Sequence, residues 1–291
     1  MAEEIKELIQ EYRDGRITRR EFIQRAVVLT GGLAAATSLL DSLLSPPAYA
    51  AQVDPKDPTL ASGMVQFSGP AGTVFGYQSR PKASGSYPGI IIVHANSGLD
   101  EHILDVARRF AKQSFVALAP DYLSRKGGTA NVPGAEKGLG NIRELVTSEV
   151  IKGDTEASVA YLRNLKEVRG DRIGITGFCW GGETAFYAAT QVRGLRALVV
   201  FYGRSPKPLD LVKQIEGPIL AHYGELDKGI TGGVAETEEA MKKYGRSFEY
   251  KIYPGAQHAF HNDSSPQRYH AEAAKDAWNL TLEFFKKHLQ S

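Results

Sequence analysis

One stretch decides the fold of this chain: Ile175-Thr176-Gly177-Phe178-Cys179-Trp180-Gly181-Gly182. The residues before it, 172–176, predict a buried strand, and residues 183–189 predict a helix. Glycines lie two positions before and two positions after Cys179, which is the only cysteine. A strand that turns sharply into a helix, with glycines around one central residue, is a nucleophile elbow. Such a turn exposes the central side chain above the edge of the sheet.

Cys179 allows two interpretations. Most free cysteines are small buried hydrophobes, so a lone cysteine by itself favours a structural role. The Gly-x-Cys-x-Gly setting between a strand and a helix favours a nucleophile instead. A single cysteine rules out an intramolecular disulfide, so cysteine usage does not report the redox compartment.

Composition sets broad limits on the protein class. The chain has 291 residues, of which 42% are hydrophobic and 23% charged, as in a globular protein with a sizeable core. Its formal net charge is +2, from 35 basic and 33 acidic residues. We therefore expect no nucleic-acid partner, which would require a concentrated basic face.

The N-terminal residues, 1–50, predict a twin-arginine-type signal. A charged segment leads into Thr18-Arg19-Arg20-Glu21-Phe22-Ile23, and an apolar run follows over residues 26–40. Ser45-Pro46-Pro47-Ala48-Tyr49-Ala50 places small residues at −3 and −1 before Ala51, as at a cleavage site. We expect the twin-arginine translocation machinery as a partner and a periplasmic or secreted protein.

Two alternatives remain open for this segment. The first alternative is an uncleaved anchor that would associate the protein with the membrane. The apolar run approaches spanning length if Asp41 is tolerated within the span. The second is an amphipathic surface helix, if the segment stays part of the mature protein. Residues 51–60, rich in Asp and Pro, predict a linker, and residues 61–291 predict one folded domain.

Strands and helices alternate along this domain. The predicted strands are 64–67, 74–80, 89–93, 115–119, 172–176, 197–201, 218–223 and 248–253. The predicted helices are 101–113, 142–166, 183–189 and 271–289, and residues 121–140 predict an irregular loop near the site. This alternation indicates an α/β fold with a mostly parallel sheet covered on both faces. Ligand sites in such sheets lie at the carboxyl ends of the strands.

A neutral thiol is a poor nucleophile, so Cys179 needs a base, and the base needs an orienting carboxylate. Asp227 follows the strand that ends at Tyr223, and His258 follows the strand that ends at Tyr253. Each residue alone is weak evidence for a catalytic role, since Asp227 is also typical of a turn and His258 of a polar loop. The order nucleophile, acid and histidine is that of α/β-hydrolases.

The oxyanion formed by attack on a carbonyl needs preorganised donors. We expect the backbone N–H of Trp180, directly after the nucleophile, and that of Asn96, in the loop after the third strand. Tyr122 and Tyr202 are candidate substrate-binding residues, although aromatic residues at strand ends are as often core packing.

Other histidines offer no clear metal site, and no metal is expected. His261 lies three residues beyond His258, but the sequence has no H-E-x-x-H motif and no cysteine cluster. We expect His94 and His222 to be hydrogen-bonded core groups, and His102 to be a surface residue on a helix.

The chain resembles the dienelactone hydrolase family over about residues 60 to 290. The resemblance rests on the elbow, on Gly224-Glu225-Leu226-Asp227, on Tyr253-Pro254-Gly255-Ala256-Gln257-His258-Ala259-Phe260 and on Ala117-Leu118-Ala119-Pro120-Asp121-Tyr122. It implies an α/β-hydrolase fold with Cys179 as nucleophile, His258 as base and acid, and Asp227 as orienter. It also implies hydrolysis of a small ester or lactone without metal or organic cofactor.

Two positions depart from the family pattern. Many relatives read His-Glu-Asn-Arg-Gly where this chain reads His94-Ala95-Asn96-Ser97-Gly98, so a glutamate and an arginine are absent. The arginine expected shortly after the catalytic histidine is replaced around His261-Asn262. These departures favour a substrate other than dienelactone itself.

Three functional hypotheses therefore stand. The first is a cysteine hydrolase of small esters or lactones that works through an acyl-enzyme. The second is a non-catalytic or weakly active protein that binds a small molecule on the same scaffold. The third is a peptidase or acyltransferase with the same triad, since fold and triad do not determine the acceptor.

Overall fold

The structure is a computed structural model that describes residues 2–13, 16–30, 32, 36 and 51–290. The chain forms two compact units, residues 1–50 and 51–291, and each is described by itself. Most of the predicted apolar run, 26–40, and the whole segment 45–50 lie outside the described residues.

Among its described residues, the first unit includes the helices α1 (Ala2–Arg13) and α2 (Arg19–Thr30). Thr18 caps α2 through a capping box with Glu21: the Thr18 amide donates to Oε2 of Glu21 at 2.7 Å, and the Glu21 amide donates to Oγ1 of Thr18 at 3.3 Å. Phe22 is fully buried between the helices. Across the described parts of the whole chain, we find no helix with both the length and the apolar character that a membrane span requires.

The second unit is built on an eight-stranded sheet with the order β1-β2-β4-β3-β5-β6-β7-β8. The strands are β1 (Leu60–Gly69), β2 (Gly72–Pro81), β3 (Tyr87–Val93), β4 (Val116–Pro120), β5 (Val168–Phe178), β6 (Leu195–Phe201), β7 (Ile219–Gly224) and β8 (Phe248–Tyr253). β1 and β2 form an antiparallel hairpin, β2 pairs antiparallel with β4, and β3 to β8 are parallel. The predicted mostly parallel α/β sheet is confirmed.

Helices cover both faces of this sheet. They are α3 (Glu101–Lys112), α4 (Ile142–Leu145), α5 (Ser148–Arg163), α6 (Trp180–Gln191), α7 (Lys228–Thr231), α8 (Val234–Lys243) and α9 (Ala271–Phe285). Successive residues of β3 alternate between two hydrophobic clusters: Ile91 packs in the cluster that contains residues of α5, α6 and α8, and Ile92 in the cluster that contains residues of α3 and α9. Both side chains are fully buried, as the continuous apolar run predicts for a central parallel strand.

The segment before β1 is held against α3. The amides of Gln52 and Val53 donate to the two carboxylate oxygens of Asp105 at 3.1 and 2.9 Å, and Nε of Arg108 donates to the Val53 carbonyl at 2.9 Å. Asp105 is fully buried. The residues predicted as a linker therefore have defined contacts with the folded unit over this short stretch.

The irregular region after β4 is organised around one buried carboxylate. Asp121 accepts hydrogen bonds from the Leu123 amide at 2.9 Å, from the Thr129 amide at 2.6 Å and from the Thr129 hydroxyl at 2.9 Å. Oγ1 of Thr129 in turn accepts from the Leu99 amide at 2.9 Å. These bonds connect the loop after β4 to the loop after β3, at the same edge of the sheet.

Candidate active site

Cys179 lies at the turn between β5 and α6 in a strained backbone conformation, with φ 58° and ψ −120°. A positive φ is uncommon for a residue with a side chain, and such strain concentrates at functional sites. The flanking glycines are required by space. A Cβ on Gly177 would overlap the Gly181 carbonyl, and a Cβ on Gly181 would overlap the carbonyls of Val93 and His94. The structure therefore has the predicted elbow, with the thiol at its tip.

Two backbone amides converge on the sulfur. The backbone N–H groups of Trp180 and Asn96 lie close enough to Sγ of Cys179 to lower the pKa of the thiol. Asn96 is held in place from the far side, because its carbonyl accepts from the Leu139 amide at 2.8 Å. Its own loop is closed by a bond of 3.0 Å from the Gly98 amide to the Ala95 carbonyl. The two residues predicted as oxyanion donors, one far before Cys179 in the sequence and one directly after it, thus lie together in the structure.

His258 and Asp227 meet at the ends of two neighbouring strands. Nδ1 of His258 lies 2.5 Å from Oδ2 of Asp227. The loops that carry them are joined by a bond of 2.9 Å from the Leu226 amide to the Ala256 carbonyl. His258 and Cys179 lie close enough to shift each other's pKa, and because Nδ1 of His258 faces the carboxylate, Nε2 is the nitrogen left to face the thiol. The three residues predicted as a triad are brought together.

The protonation of this pair departs from that of the free groups. Burial by itself raises the pKa of Cys179, but the hydrogen bond and charge of His258 and the two amides outweigh it, so the pKa of the thiol is lowered. Burial by itself lowers the pKa of His258, but Asp227 and the thiolate raise it to about 9. A free thiol titrates above a free imidazole. Here both shifts favour transfer of the proton from the thiol to the imidazole.

Tyr202 lies in this site and Tyr122 lies behind it. The ring of Tyr202 packs edge-on against His258 at 5.2 Å between centroids, and burial raises the pKa of its hydroxyl well above the usual value. Tyr122 is fully buried, and its hydroxyl is 2.7 Å from the Thr155 hydroxyl on α5. Its ring packs against Trp180 at 6.1 Å. The structure brings Tyr202 to the cavity but not Tyr122, because the Tyr122 side chain points into the core.

A cavity of about 200 Å³ opens above Cys179, and several residues that sequence reasoning missed line it. Nη2 of Arg143 lies 2.6 Å from Oε2 of Glu183, and both side chains line the cavity with Arg204. The bond with Glu183, and then the charge of the Cys179 thiolate, raises the pKa of Arg143. Glu183 could have been found, because it lies four residues after Cys179 on the elbow helix. Arg143 lies on the short helix α4, within the predicted helix 142–166, and Arg204 lies in the loop after β6, and no sequence motif marks either residue.

Ser97, at one of the departures from the family pattern, belongs to a local hydrogen-bond network. Oγ of Ser97 donates to Asp100 at 2.6 Å, and Asp100 caps α3 by accepting from the Ile103 amide at 3.0 Å. The loop at 95–98 therefore carries a helix-capping network where many relatives carry a glutamate and an arginine. Ala95 contributes no charge beside the thiol.

Two of the remaining histidines are core groups, as predicted. Nε2 of the buried His94 accepts from the Tyr122 amide at 3.1 Å, so Nδ1 carries the proton and donates to the Ala95 carbonyl at 2.7 Å. His222 is fully buried between Thr281 and Tyr253.

The prediction for His102 was wrong. It is 3% exposed, with Nδ1 3.1 Å from Oδ1 of Asp263, because the loop after His258 folds back over α3. Over residues 51–290 and the described part of the first unit, no group of three or more His, Cys, Asp or Glu side chains is arranged to hold a metal ion.

The chain is similar to a known protein family and to individual members of known sequence and structure. Residues 74–289 match the dienelactone hydrolase family. The chain is 32% identical over 239 residues to a Methylorubrum extorquens protein named "putative carboxymethylenebutenolidase", covering 79% of this chain and 82% of that one. It is 38% identical over 224 residues to a Bradyrhizobium protein named "probable 2-oxo-3-(5-oxofuran-2-ylidene)propanoate lactonase", covering 73% and 89%. A solved structure from Klebsiella pneumoniae, named "putative dienelactone hydrolase", superposes with a TM-score of 0.70 at 30% identity, covering 78% and 99%.

Proposed function

Because the chain belongs to the dienelactone hydrolase family, has an α/β-hydrolase fold and is therefore a hydrolase, we propose that it hydrolyses small esters or lactones through a Cys179–His258–Asp227 triad. A lactone belongs in the proposal because the Bradyrhizobium relative is named as a lactonase. The observation that carries the proposal is the convergence of His258 and two backbone amides on one sulfur atom.

In the first half of the reaction, the Cys179 thiolate attacks the carbonyl carbon of the substrate. The carbonyl electron pair moves onto oxygen, and this oxyanion accepts hydrogen bonds from the amides of Trp180 and Asn96. The tetrahedral intermediate collapses to a thioester, and the alcohol leaves with the proton from Nε2 of His258. For a lactone, the alcohol stays attached to the acyl group.

In the second half, neutral His258 takes a proton from water, and the oxygen of that water attacks the thioester carbon. The same two amides stabilise the second oxyanion, which collapses to the carboxylic acid and the thiolate. His258 ends as imidazolium, as it began, so the net reaction consumes one ester and one water. Asp227 holds Nδ1–H throughout and stabilises the positive imidazolium.

The test compares the wild type with Cys179→Ala on p-nitrophenyl acetate and on a panel of short-chain esters and lactones. We expect kcat/KM to fall by about 10³-fold or more, because loss of a nucleophile leaves only the oxyanion donors and binding. A variant that kept wild-type turnover on every compound would exclude Cys179 as the nucleophile.

Experiments on the wild type alone distinguish the proposed enzyme from the alternative, a non-catalytic binding protein. Iodoacetamide should alkylate an activated Cys179 at a pH well below that required by a free thiol. A structural cysteine that reacts only near the free-thiol pKa, with no ester turned over, would favour the binding protein.

We also propose that the protein is exported by the twin-arginine route. The Arg19-Arg20 pair, the apolar run and the small residues before Ala51 support this proposal. The test is cell fractionation of a bacterial host that expresses the full chain and its Arg19→Lys/Arg20→Lys variant. We expect the wild type in the periplasm with Ala51 at its N-terminus and the variant retained in the cytoplasm. A wild type found only in the cytoplasm would contradict export, and an unprocessed chain in the membrane fraction would favour an anchor.

A further inference from the structure

A second cavity adjoins the one above Cys179. The first, here called the catalytic lobe, has a volume of about 200 Å³ and is lined by Cys179 and His258. The second, here called the side lobe, has a volume of about 330 Å³. Both are lined by Arg143, Trp180, Glu183 and Arg204, so these four residues lie at the boundary between the lobes.

We propose that the side lobe binds an apolar acyl arm of the substrate, so that the preferred substrates are esters whose acyl group carries an aromatic ring or a branched hydrocarbon. This inference rests on the proposed ester hydrolysis and specifies its substrate class. Nothing in the catalytic steps requires the side lobe, so its role is selectivity.

The chemistry of the side lobe favours an apolar group. Its buried lining is apolar at Val146, Trp180 and Pro206 and polar only at Thr184, and the half-buried Ile151 and Tyr187 add apolar surface. The charged groups that line it, including the Arg143–Glu183 pair, are exposed or half-buried. They are therefore solvated at the rim, whereas an apolar group that reaches the floor is removed from water.

The arrangement of the lobes indicates which half of the ester enters. His258 must protonate the leaving alcohol, so the alcohol has to lie on the His258 side of the sulfur. The side lobe shares Trp180 with the catalytic lobe but is not lined by His258. The acyl group is therefore the half that extends past Trp180 into the side lobe.

The volume suits such an arm. A cavity of about 150 Å³ is enough to hold a benzene ring. Each methylene group removed from water contributes about fourfold to affinity. If that burial is realised in the transition state, it raises kcat/KM by the same factor.

The test measures kcat/KM for p-nitrophenyl esters with acetyl, butyryl and 3-phenylpropionyl groups, so that only the acyl part varies. We expect the wild type to favour 3-phenylpropionyl over acetyl by at least tenfold. Ile151→Trp, which fills the lobe, should reduce that ratio by about tenfold, whereas Ile151→Ala should leave it or raise it. Ser148→Trp repeats the filling test from an exposed position at the start of α5, in case Ile151→Trp does not fold.

Met64→Trp is the matched control. Met64 is 64% exposed on β1, so the substitution introduces the same tryptophan side chain away from both lobes. Its acyl ratio should equal that of the wild type. A second series, acetate esters with small and large alcohols, should show a size preference that Ile151→Trp does not change. The proposal is overturned if the acyl ratio is near one in the wild type, if both filling variants leave it unchanged, or if they change alcohol selectivity instead. Failure of the proposed function is distinct, because turnover of p-nitrophenyl acetate would then survive in Cys179→Ala.

Discussion

Oδ2 of Asp227 lies 2.5 Å from Nδ1 of His258, although 31 residues separate them in the chain. The contact exists because β7 and β8 are parallel neighbours, with Gly224 opposite Tyr253, and each residue follows the end of its strand. It sets the tautomer of the imidazole and raises the pKa of His258.

Asp227→Asn tests this relationship. Loss of the carboxylate charge lowers the pKa of His258, and a less positive His258 in turn raises the pKa of Cys179. We expect the pH profile of iodoacetamide alkylation to move to higher pH and kcat/KM at pH 7 to fall by about 10²-fold or more. Asp210→Asn, at an exposed position 3.1 Å from Lys213, is the control and should leave both measurements unchanged. Identical alkylation profiles for Asp227→Asn and the wild type would remove Asp227 from the mechanism.

Ala95→Glu restores the charge that many relatives carry in this loop. The backbone N–H of Asn96, the next residue, lies close to Sγ, so we expect a carboxylate at position 95 to lie near the thiolate. A nearby like charge raises the pKa of a thiol. We expect alkylation of Ala95→Glu to require higher pH than that of Ala95→Gln, which has the same size and no charge. An increase in ester turnover in Ala95→Glu alone would show instead that the missing carboxylate limits the rate.

Gly181→Ala tests the steric requirement of the elbow. A Cβ at this position meets the carbonyl oxygens of Val93 and His94, which belong to β3 and the loop after it and cannot move independently. We expect the midpoint of urea unfolding to fall, corresponding to a loss of about 1–3 kcal/mol or more. Gly63→Ala is the matched control, because nothing lies within 4 Å of its Cβ position. Equal stability of the two variants would contradict the tight packing of the elbow.

His222 predicts a pH dependence of stability. Burial lowers its pKa to about 3 in the folded protein, against about 6.5 for the free group. Between these values the unfolded chain binds the proton and the folded protein does not, so stability falls as pH drops from about 6.5 towards 3 and is fully present above 6.5. In His222→Gln, we expect about one proton fewer to bind on unfolding. The slope of the unfolding free energy against pH should therefore fall by about 1.4 kcal/mol per pH unit.

Thr281→Val is the control for this slope. It removes the hydroxyl 3.1 Å from Nε2 of His222 but keeps the imidazole, so it should lower stability at every pH without changing the slope. Urea unfolding at pH 4.5, 5.5 and 7.5 measures both variants. A slope in His222→Gln equal to that of the wild type would show that His222 is not protonated on unfolding.

The sequence alone determined the sheet and the central thiol. Continuous β-branched runs such as 89–93 predict strands buried on both faces, and β3 has that burial. The glycines around Cys179 predict the elbow because the close approach of two backbones excludes any Cβ there. Asp227 and His258 were found because parallel strands bring their carboxyl ends to one edge, a rule that needs only the strand positions.

Only the tertiary structure decided what surrounds the thiol. Arg143 reaches the cavity from the short helix α4 and Arg204 from the loop after β6, positions that no sequence motif marks. The side lobe lies where α5 and α6 approach each other. Tyr122 turns into the core because Thr155 on α5 meets its hydroxyl. His102 is buried by Asp263, 161 residues further along the chain. Local patterns record which residues share a strand or a helix face, whereas contacts between distant loops depend on how the whole sheet twists and packs.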